Sequence, residues 1–199
     1  MSSQTRERIV DAAAEVMRTL GLGAATTKEI ARAAGYSEAT LYKHFASKED
    51  LFLEVLRTRL PPLVEVLADL PRQVASGDLQ GTLERVARQA FDFFMQGIPI
   101  TASVFSAPAL LARHRDRVHE QDAGPHVPME LLTDYLRAEQ HAGHLHREAS
   151  ASAAATLLMG ACFQQAFLAT FSGAAPSADE RDQLVADLVS TLLDGIAPH

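Results

Sequence analysis

The stretch TTKEIARAAGYSEATLYKHFASK, residues 26–48, decides the fold of this chain. Thr26 followed by Glu29 is typical of a capping box, in which each side chain satisfies a free backbone amide at a helix start. Small apolar residues then recur at spacings of three and four, up to Gly35, which can take the left-handed conformation that ends a helix. The stretch therefore predicts a short helix that begins at Thr26 and ends before Gly35.

A second short helix follows within the same stretch. Ser37 can cap its first turn, and Leu41 and Phe45 lie four residues apart, which places both on one inward side. The outward side then carries polar and basic residues such as Thr40 and Lys43. Two short helices joined by a glycine turn predict a helix-turn-helix, whose second helix enters the DNA major groove.

The pattern T-x-x-x-I-A-x-x-A-G-Y-S-x-x-T-L-Y-x-H-F-x-S-K-E-x-L closely resembles the N-terminal DNA-binding domain of the TetR family of bacterial transcriptional repressors. The detailed resemblance covers about residues 6–57, and beyond them only the all-helical layout and the length match. It implies an all-α fold, with an N-terminal three-helix head followed by a larger helical bundle. It also implies a repressor that binds a palindromic operator as a homodimer and is released by a small molecule.

The resemblance assigns DNA contacts to residues in and around the second short helix. Tyr42 and Lys48 would bind phosphates, and Ala39 and Lys43 are placed to approach bases or an adjacent phosphate. A thymine methyl group suits alanine, and a guanine suits lysine. Phosphate contacts set the register on DNA, whereas base contacts set sequence preference. The predicted DNA-binding residues are Thr26, Thr27, Lys28, Tyr36, Ser37, Ala39, Thr40, Tyr42, Lys43, His44 and Lys48.

Length, composition and charge bound the domain organisation. The 199 residues, 47% of them hydrophobic, suffice for one large or two small domains. We predict a DNA-binding domain over residues 1–48 and a ligand-binding and dimerisation domain over residues 49–199, with a connecting helix over residues 47–70. The net charge of −7 argues against a protein that coats DNA without specificity. Residues 1–60 nevertheless carry +1 and all three lysines, which fits contact with DNA at one end.

The sequence predicts a cytoplasmic protein that has neither cofactor nor metal. The N-terminus lacks the apolar segment of a signal peptide, and we find no apolar run long enough to span a bilayer. Cys162 is the single cysteine, which excludes an intramolecular disulfide, and its apolar neighbours favour an inert buried thiol over a redox sensor. His141, His144 and His146 are spaced closely enough to bind a metal, but we interpret them as a solvated helix end.

Apolar spacing and helix breakers predict the remaining elements. We expect helices over residues 5–20, from Ser47 through a kink near Pro61 to Leu70, over 78–96 with a stop at Gly97 and Pro99, over 101–122 with an interruption at Pro108, over 129–141, over 149–171, and from a capping box at Ser177 and Glu180 to the C-terminus. The helix over 149–171 is apolar nearly all round, so we expect it to be buried on most sides. No strand pattern is present in the sequence.

The last two helices offer wide apolar faces, which could form the core of one chain. The resemblance implies instead that they form a four-helix interface between two copies. Because one short helix reads few base pairs, a two-fold dimer with half-sites about 34–36 Å apart would read a palindrome. The predicted dimerisation residues are Ala154, Leu157, Ala161, Leu184, Val185, Leu188, Val189 and Leu192.

Met and Phe residues of the middle helices are usually ordinary core. The resemblance implies an inducer cavity between these helices, and their apolar and aromatic side chains favour a medium-sized, largely apolar or aromatic ligand. Polar anchors would be few, among them Thr133, Gln164 and Gln165. The predicted ligand-binding residues are Phe91, Phe94, Met95, Phe105, Met129, Leu132, Tyr135, Leu158, Met159, Cys162, Phe163 and Phe167.

Two other functions stay open at this point. The first is a DNA-binding regulator controlled by a protein partner without any small molecule, which a closed and well-packed second domain would favour. The second is an enzyme with a helical head. The sequence carries no nucleophile elbow, phosphate-binding loop, metal signature or paired-carboxylate arrangement, which makes an enzyme the weaker alternative. Activation instead of repression is also compatible with the sequence.

Overall fold

The computed structural model describes residues 2–60, 62–74, 77–120 and 124–195, and within these residues every regular element is a helix. This confirms the predicted all-α fold class. The helices are α1 (Ser2–Ala24), α2 (Thr27–Ala34), α3 (Glu38–His44), α4 (Lys48–Thr58), α5 (Leu63–Ala68), a 3₁₀ turn (Leu70–Arg72), α6 (Leu79–Phe105), α7 (Pro108–Glu120), α8 (His126–Ala142), α9 (Ala151–Ser172) and α10 (Ala178–Asp194).

Residues 1–60 and 96–121 form one compact unit, which contains the helix-turn-helix. In this unit α1 packs against α2, α3 and α4. Ile30 of α2, Leu41 of α3 and Phe52 of α4 share one buried core with Leu110 of α7. The predicted domain boundary at residue 48 therefore differs from the observed division, because α4 and α7 are buried in the same core as the two short helices.

Residues 61–95 and 122–199 form the second compact unit. In it α8 packs against α5 and α9, and α10 packs against α9. The core of this unit is apolar and contains Leu67, Leu83, Leu132, Leu158 and Val189. Each of these side chains is almost completely removed from solvent, so the second unit has a hydrophobic core of its own.

The predicted single helix over residues 47–70 is wrong. α4 ends at Thr58, whose hydroxyl donates a 2.7 Å hydrogen bond to the carbonyl of Glu54, and α5 begins only at Leu63. Neither Pro61 nor Pro62 has a backbone N–H, and a proline also disfavours helical geometry for the residue before it. Two successive prolines therefore separate two helices instead of kinking one.

The predicted stop at Gly97 and Pro99 is also wrong. α6 continues to Phe105 with Pro99 inside it. The hydroxyl of Thr101 donates to the carbonyl of Gly97 at 2.9 Å and lies 3.2 Å from that of Ile98, so it bonds back to the turn that carries Pro99. A proline inside a helix costs about 3 kcal/mol. Burial of Ile100, and of Val104 one turn later, offsets this cost.

Helix α9 is buried on one side only, contrary to the expectation that it would be covered on most sides. Its inward face packs in the core of the second unit through Ala155, Leu158 and Cys162, and Ala166 is also buried. Its other face leaves Leu157 65% exposed and Phe171 82% exposed. The helix is apolar nearly all round, but α8 and α10 cover only one of its faces within a single chain.

The same helix corrects the expectation that no apolar run could span a bilayer. By length and composition alone, α9 is long and apolar enough to do so. Length and composition are weak evidence by themselves, because an apolar helix in a soluble protein meets the same criterion. Packing within one chain therefore does not account for the exposed apolar face of α9.

Candidate nucleic-acid interface

Both helices of the helix-turn-helix begin after the predicted caps, and α2 ends at the predicted glycine. The hydroxyl of Thr26 accepts a 3.1 Å hydrogen bond from the amide of Glu29, and Gly35 ends α2 with a φ of 75°. The hydroxyl of Ser37 accepts a 3.2 Å bond from the amide of Thr40. Of the two hydrogen bonds of the capping box predicted at Thr26, only the one to the Thr26 hydroxyl forms. The carboxylate of Glu29 accepts from the guanidinium of Arg32 instead.

Helix α3 presents a short outward face because its inward face is buried. Leu41 and Phe45 are 0% and 4% exposed, as their spacing predicted. The intervening Tyr42 and Lys43 are exposed, as is Ala39 one turn earlier. A helix of seven residues with this division resembles a recognition helix, whose first turns approach base edges.

All predicted DNA-binding residues lie in this first unit and reach its surface. Six are exposed: Thr26, Lys28, Ser37, Ala39, Tyr42 and Lys43. Five are partly exposed: Thr27, Tyr36, Thr40, His44 and Lys48. Their accessibility agrees with a contact surface, and their contact with DNA stays a prediction.

Several of these side chains are held in place by neighbours within the chain. The hydroxyl of Thr27 donates to the carboxylate of Glu38 at 2.7 Å. The ammonium of Lys48 lies 5.0 Å from the centre of the Phe52 ring, at a distance typical of a cation–π contact. Side chains that are already oriented lose less conformational entropy when they bind a partner.

Two arginines of α1 have structural roles that the sequence did not reveal. Arg6 donates a 2.8 Å hydrogen bond to Glu54, 48 residues away. Arg8 donates a 3.2 Å hydrogen bond to the carbonyl of Ala34 near the C-terminus of α2, where positive charge is favourable, and it lies over the ring of Tyr36. Such partners are distant in sequence, so helical spacing carries no signal for them.

Glu54 of α4 is a buried carboxylate that joins α4 to α1. It is 4% exposed and accepts hydrogen bonds from Arg57 at 2.8 and 3.2 Å, besides the bond from Arg6. The hydrogen bond from Arg57, opposed by burial and assisted by Arg6, lowers the pKa of Glu54 to about 2. The carboxylate is therefore ionised at neutral pH and fixes α1 against α4.

The structure divides the predicted ligand-binding residues. Six are buried in the second unit: Phe91, Leu132, Tyr135, Leu158, Met159 and Cys162. Met129 is partly buried against the same core. Phe105 is 66% exposed and belongs to the first unit, so it is not one of this group.

Four other predicted ligand-binding residues lie along α6 and α9 outside this closed core. The rings of Phe94 and Phe163 meet edge to face with centroids 5.3 Å apart. The hydroxyl of Thr170 lies 3.8 Å from the sulfur of Met95, and Phe167 is 47% exposed. These contacts form an aromatic surface on the second unit, where the sequence had predicted an enclosed cavity.

Two open pockets among the described residues have other lining residues. The first has a volume of about 470 Å³, and Lys48, Phe52, Leu110 and Arg113 are among its lining residues. The second has a volume of about 600 Å³ and is polar, with Arg85, Arg88, Asp92 and Arg181 in its walls. Neither contains a predicted ligand-binding side chain, because those of the core are closely packed against one another.

The predicted dimerisation residues also differ in their exposure to solvent. Leu157 is exposed on α9, with Ala154 and Ala161 partly exposed beside it. Leu184, Leu188 and Leu192 of α10 are also partly exposed. Val185 and Val189 are 1% and 0% exposed, so they are core residues of one chain and their assignment to a dimer contact is corrected.

Polar groups in the second unit are mostly engaged within it. The buried hydroxyl of Thr133 donates to the carbonyl of Met129 at 2.7 Å. Nδ1 of His144 lies 2.5 Å from the buried carboxylate of Glu139. Nδ1 of His141 lies 2.6 Å from the carbonyl of Arg137. Within the described residues, no three His, Cys, Asp or Glu side chains are arranged to hold a metal ion.

Cys162 is buried and chemically protected. It is 1% exposed, and its thiol donates a weak 3.5 Å bond to the carbonyl of Ala87. Burial raises the pKa of Cys162 to about 12. The thiolate, which is the reactive form, is therefore scarce at neutral pH.

Comparisons with known proteins agree with this architecture. Residues 9–55 match the family described as bacterial regulatory proteins, tetR family, and residues 81–195 match the C-terminal domain of AefR-like transcriptional repressors. The second match alone covers more than half of the chain. The chain belongs to the TetR family. The resemblance inferred from residues 26–48 is thereby confirmed, and the protein is a TetR-type transcriptional regulator.

Individual TetR relatives match it over different spans. The transcriptional repressor KstR2 of Rhodococcus jostii is 37% identical over 91 residues, which are 45% of this chain and 43% of KstR2. The chain spans between 29% and 66% of the length of the first four curated relatives that it matches.

Solved structures of TetR proteins match nearly the whole chain. A TetR-family regulator from Mesorhizobium loti superposes with a TM-score of 0.75 at 21% identity, over 98% of this chain and 97% of the other. FadR from Bacillus subtilis, solved with stearoyl-CoA, superposes with a TM-score of 0.68 at 18% identity, over 96% and 99%. At these identities the likeness shows the TetR fold alone.

Proposed function

We propose that this TetR-family protein is a cytoplasmic repressor that binds a palindromic operator as a homodimer and leaves it when an effector binds. The observation that carries the proposal is the outward face of α3. Buried Leu41 and Phe45 fix the orientation of this helix, and Tyr42 and Lys43 are left accessible. A rigid helix with polar and basic groups on its free side fits the DNA major groove.

Within this proposal the accessible residues have two kinds of role. Ala39, Thr40 and Lys43 approach base edges and set sequence preference. Thr26, Tyr42 and Lys48 contact phosphates and set the register. His44 lies at the last turn of α3 and is placed for either role.

Dimerisation is supported by the exposed apolar face of α9. Leu157, Phe163, Phe167, Leu168 and Phe171 are each at least 47% exposed in one chain. Contiguous apolar side chains on a protein surface mark contact sites, and a two-fold contact covers the same patch on both copies. A second copy against α9 and α10 would remove these side chains from water, and it accounts for the apolar composition of α9 without a membrane.

Repression is supported by the descriptions of similar proteins. The C-terminal family that matches residues 81–195 is a family of repressors, and KstR2 is named as a repressor. We infer that the dimer holds two recognition helices at a spacing that suits the operator. An effector would release the DNA only if it binds more tightly to a second arrangement of the dimer.

The aromatic surface around Phe94 and Phe163 supports an apolar or aromatic effector. Aromatic and apolar side chains with a few polar groups are typical of ligand sites. FadR, which shares the fold, was solved with stearoyl-CoA. A ligand against this surface would contact α6 and α9 of the second unit.

A second candidate is regulation by a protein partner without a small molecule. It is favoured by the closed packing of Leu132, Tyr135, Leu158 and Cys162, where the sequence had predicted a cavity. In this case the exposed aromatic side chains of α9 would belong wholly to protein contacts.

Selection of random duplex DNA by the purified protein tests DNA binding and dimerisation together. We expect an inverted repeat to be enriched and two chains to sediment with each duplex.

Lys43→Ala should relax the preference at one base pair of each half-site, whereas Lys48→Ala should weaken binding to all sequences alike and lower the salt slope by about one per contact. Arg147→Ala, an exposed charge in the second unit, is the matched control. Failure to enrich any motif at low salt would sink the proposal.

The selected operator then separates the two modes of regulation. Stearoyl-CoA, free coenzyme A and a set of aromatic compounds would be added to the protein–DNA complex and to the free protein. An effector should raise the melting temperature of the free protein and release the DNA. If DNA binding is intact and none of these compounds has either effect, the protein-partner mode is favoured.

A further inference from the structure

We propose that Arg113 of α7 is a positioning residue for DNA binding, which holds the first turn of α4 and thereby Lys48 in the place where a phosphate is bound. The inference rests on the proposed DNA-binding function. It assigns a role to α7, a helix that lies outside the helix-turn-helix in sequence but in the same compact unit.

One guanidinium reaches three residues of a single helix start. Nη2 of Arg113 donates to the carboxylate of Asp50 at 2.7 Å, and Nη1 donates to the hydroxyl of Ser47 at 3.3 Å. Nη1 also lies 3.7 Å from the carboxylate of Glu49. These residues flank Lys48 on both sides, so the guanidinium fixes the backbone that carries Lys48.

The residues that Arg113 contacts also build the cap of α4. The hydroxyl of Ser47 accepts from the amide of Asp50 at 3.1 Å and lies 2.9 Å from the Asp50 carboxylate. Arg113 therefore adds a link from another helix to a turn that is already hydrogen-bonded within itself. A planar guanidinium binds such oxygens with defined geometry, which an ammonium group does not reproduce.

Packing of α7 against this turn is incomplete: Leu110 is buried in the same core as Phe52, but an open cleft lies beside them. The pocket of about 470 Å³ lies here, with Lys48, Phe52, Ala109, Leu110 and Arg113 among its lining residues. Side chains that line this open cleft have no protein neighbours on that side. The polar bridge from Arg113 therefore has a larger part in the position of the α4 start than it would have in a filled interface.

Electrostatics gives the same bridge a second effect on DNA binding. Glu49 and Asp50 place two carboxylates directly after Lys48, where they would repel a phosphate. Arg113 pairs with both carboxylates and offsets their negative charge, so Lys48 attracts a phosphate more strongly than it would without Arg113. Its own guanidinium is committed to these partners and acts on the phosphate through Lys48.

The test uses the full-length protein and its selected operator, with affinity measured by fluorescence anisotropy over about 50–200 mM salt. We expect Arg113→Ala to weaken binding about tenfold, since surface ion pairs are modest but each dimer uses two heads. Arg113→Lys should recover part of this loss. Arg115→Ala removes the same charge from an exposed position on the same helix and should change affinity less than about twofold.

The salt dependence and a double substitution separate positioning from direct contact. If Arg113 acts through α4, Arg113→Ala should leave the salt slope nearly unchanged, whereas loss of a phosphate contact would reduce it by about one for each head. Asp50→Asn should make a further Arg113→Ala substitution cost less affinity than it costs in the wild type, because the nearest carboxylate is gone while Ser47 and Glu49 remain. Melting curves check that each variant folds, and Arg113→Lys, which should still bind more weakly than wild type, tests the bridge if Arg113→Ala does not fold.

Several results would overturn the inference. They are equal affinities for Arg113→Ala and Arg115→Ala, additive losses in the double variant, or a salt slope reduced by about one per head. If wild-type protein binds no DNA, the proposed function fails and this inference fails with it. If wild-type protein binds the operator and Arg113→Ala binds equally well, only the role of Arg113 is lost.

Discussion

The hydroxyl of Thr27 donates a 2.7 Å hydrogen bond to the carboxylate of Glu38. Thr27 is the first residue of α2 and Glu38 is the first residue of α3, so the bond ties the two helix starts of the helix-turn-helix together. A carboxylate at this position also interacts favourably with the positive end of α3. We infer that the pair helps to set the angle between the two helices.

Replacement of Glu38 should show how much the hydrogen bond from Thr27 contributes to the free energy of unfolding. Glu38→Ala is expected to lower the free energy of unfolding by about 1 kcal/mol, since it removes both an acceptor and a favourable charge. Glu38→Gln keeps an acceptor for Thr27 and should lose about half as much. Urea unfolding measures both. Thr27→Val added to Glu38→Ala should cause little further loss, and full additivity would contradict the link.

A charge placed on the outer face of α9 should prevent dimerisation. Leu157 is 65% exposed in one chain, so Leu157→Glu is tolerated by the monomer but would bury an unpaired carboxylate between two copies. We expect the dimer to dissociate at micromolar concentration and operator affinity to fall at least about a hundredfold, because buried unpaired charges cost about 3–5 kcal/mol. Sedimentation velocity and anisotropy measure the two effects.

The chain offers a matched control for this substitution. Leu20 of α1 is 53% exposed, so Leu20→Glu makes the same chemical change on a different helix. It should leave the oligomeric state unchanged. A dimer that survives Leu157→Glu would place the contact between copies elsewhere.

The buried Glu54 predicts a specific dependence of stability on pH. Its pKa is lowered from 4.5 to about 2, first by the hydrogen bond from Arg57, and a depressed pKa stabilises the folded state above the unfolded value. The contribution, about 2 kcal/mol at neutral pH, should be lost as the pH falls from 4.5 towards 2. Glu54→Gln should therefore be less stable than wild type by this amount at neutral pH, and the difference should shrink in acid.

Thermal and urea unfolding of both proteins at several pH values measure this difference. Glu120→Gln removes an exposed carboxylate in the same unit and is the control. It should leave stability nearly unchanged at every pH. A stability difference for Glu54→Gln that does not vary with pH would show that packing, and not the charge, is what the substitution removes.

The thiol of Cys162 should resist modification in the folded protein. Its pKa is raised to about 12 by burial, so neither a disulfide reagent nor mild peroxide should react with it near neutral pH. In urea the same reagent should modify one thiol per chain. Operator affinity should be unchanged by peroxide, and a loss that a thiol reductant reverses would contradict the inert assignment.

The sequence predicted the helix-turn-helix well because its signals are local. The caps at Thr26 and Ser37 and the glycine at residue 35 act on neighbouring amides, so the same residues start and stop helices in any context. The inward side of α3 followed from the spacing of Leu41 and Phe45. The break at Pro108 and the capping box at Ser177 were predictable for the same reason.

The wrong predictions concern places where contacts between residues distant in sequence decide the structure. Pro99 is tolerated inside α6 because Ile100 and Val104 after it are buried, and a single sequence window does not show that burial. Val185 and Leu157 carry the same apolar signal, yet the first is in the core and the second is on the surface. Which side of an apolar helix is covered depends on the neighbours that the fold brings to it.

By itself, the sequence determined the all-helical class and the helix-turn-helix, since caps, breakers and helical spacing act over a few residues, and its motif resembled the TetR family closely enough to indicate membership. Only the tertiary structure decided that Arg6 meets Glu54, that Arg113 meets the start of α4, and that α9 keeps an uncovered apolar face. These relations join residues 48 and 63 positions apart, or depend on which helices lie alongside. They arise from packing and the pairing of buried charge, which a periodic pattern along one helix does not encode.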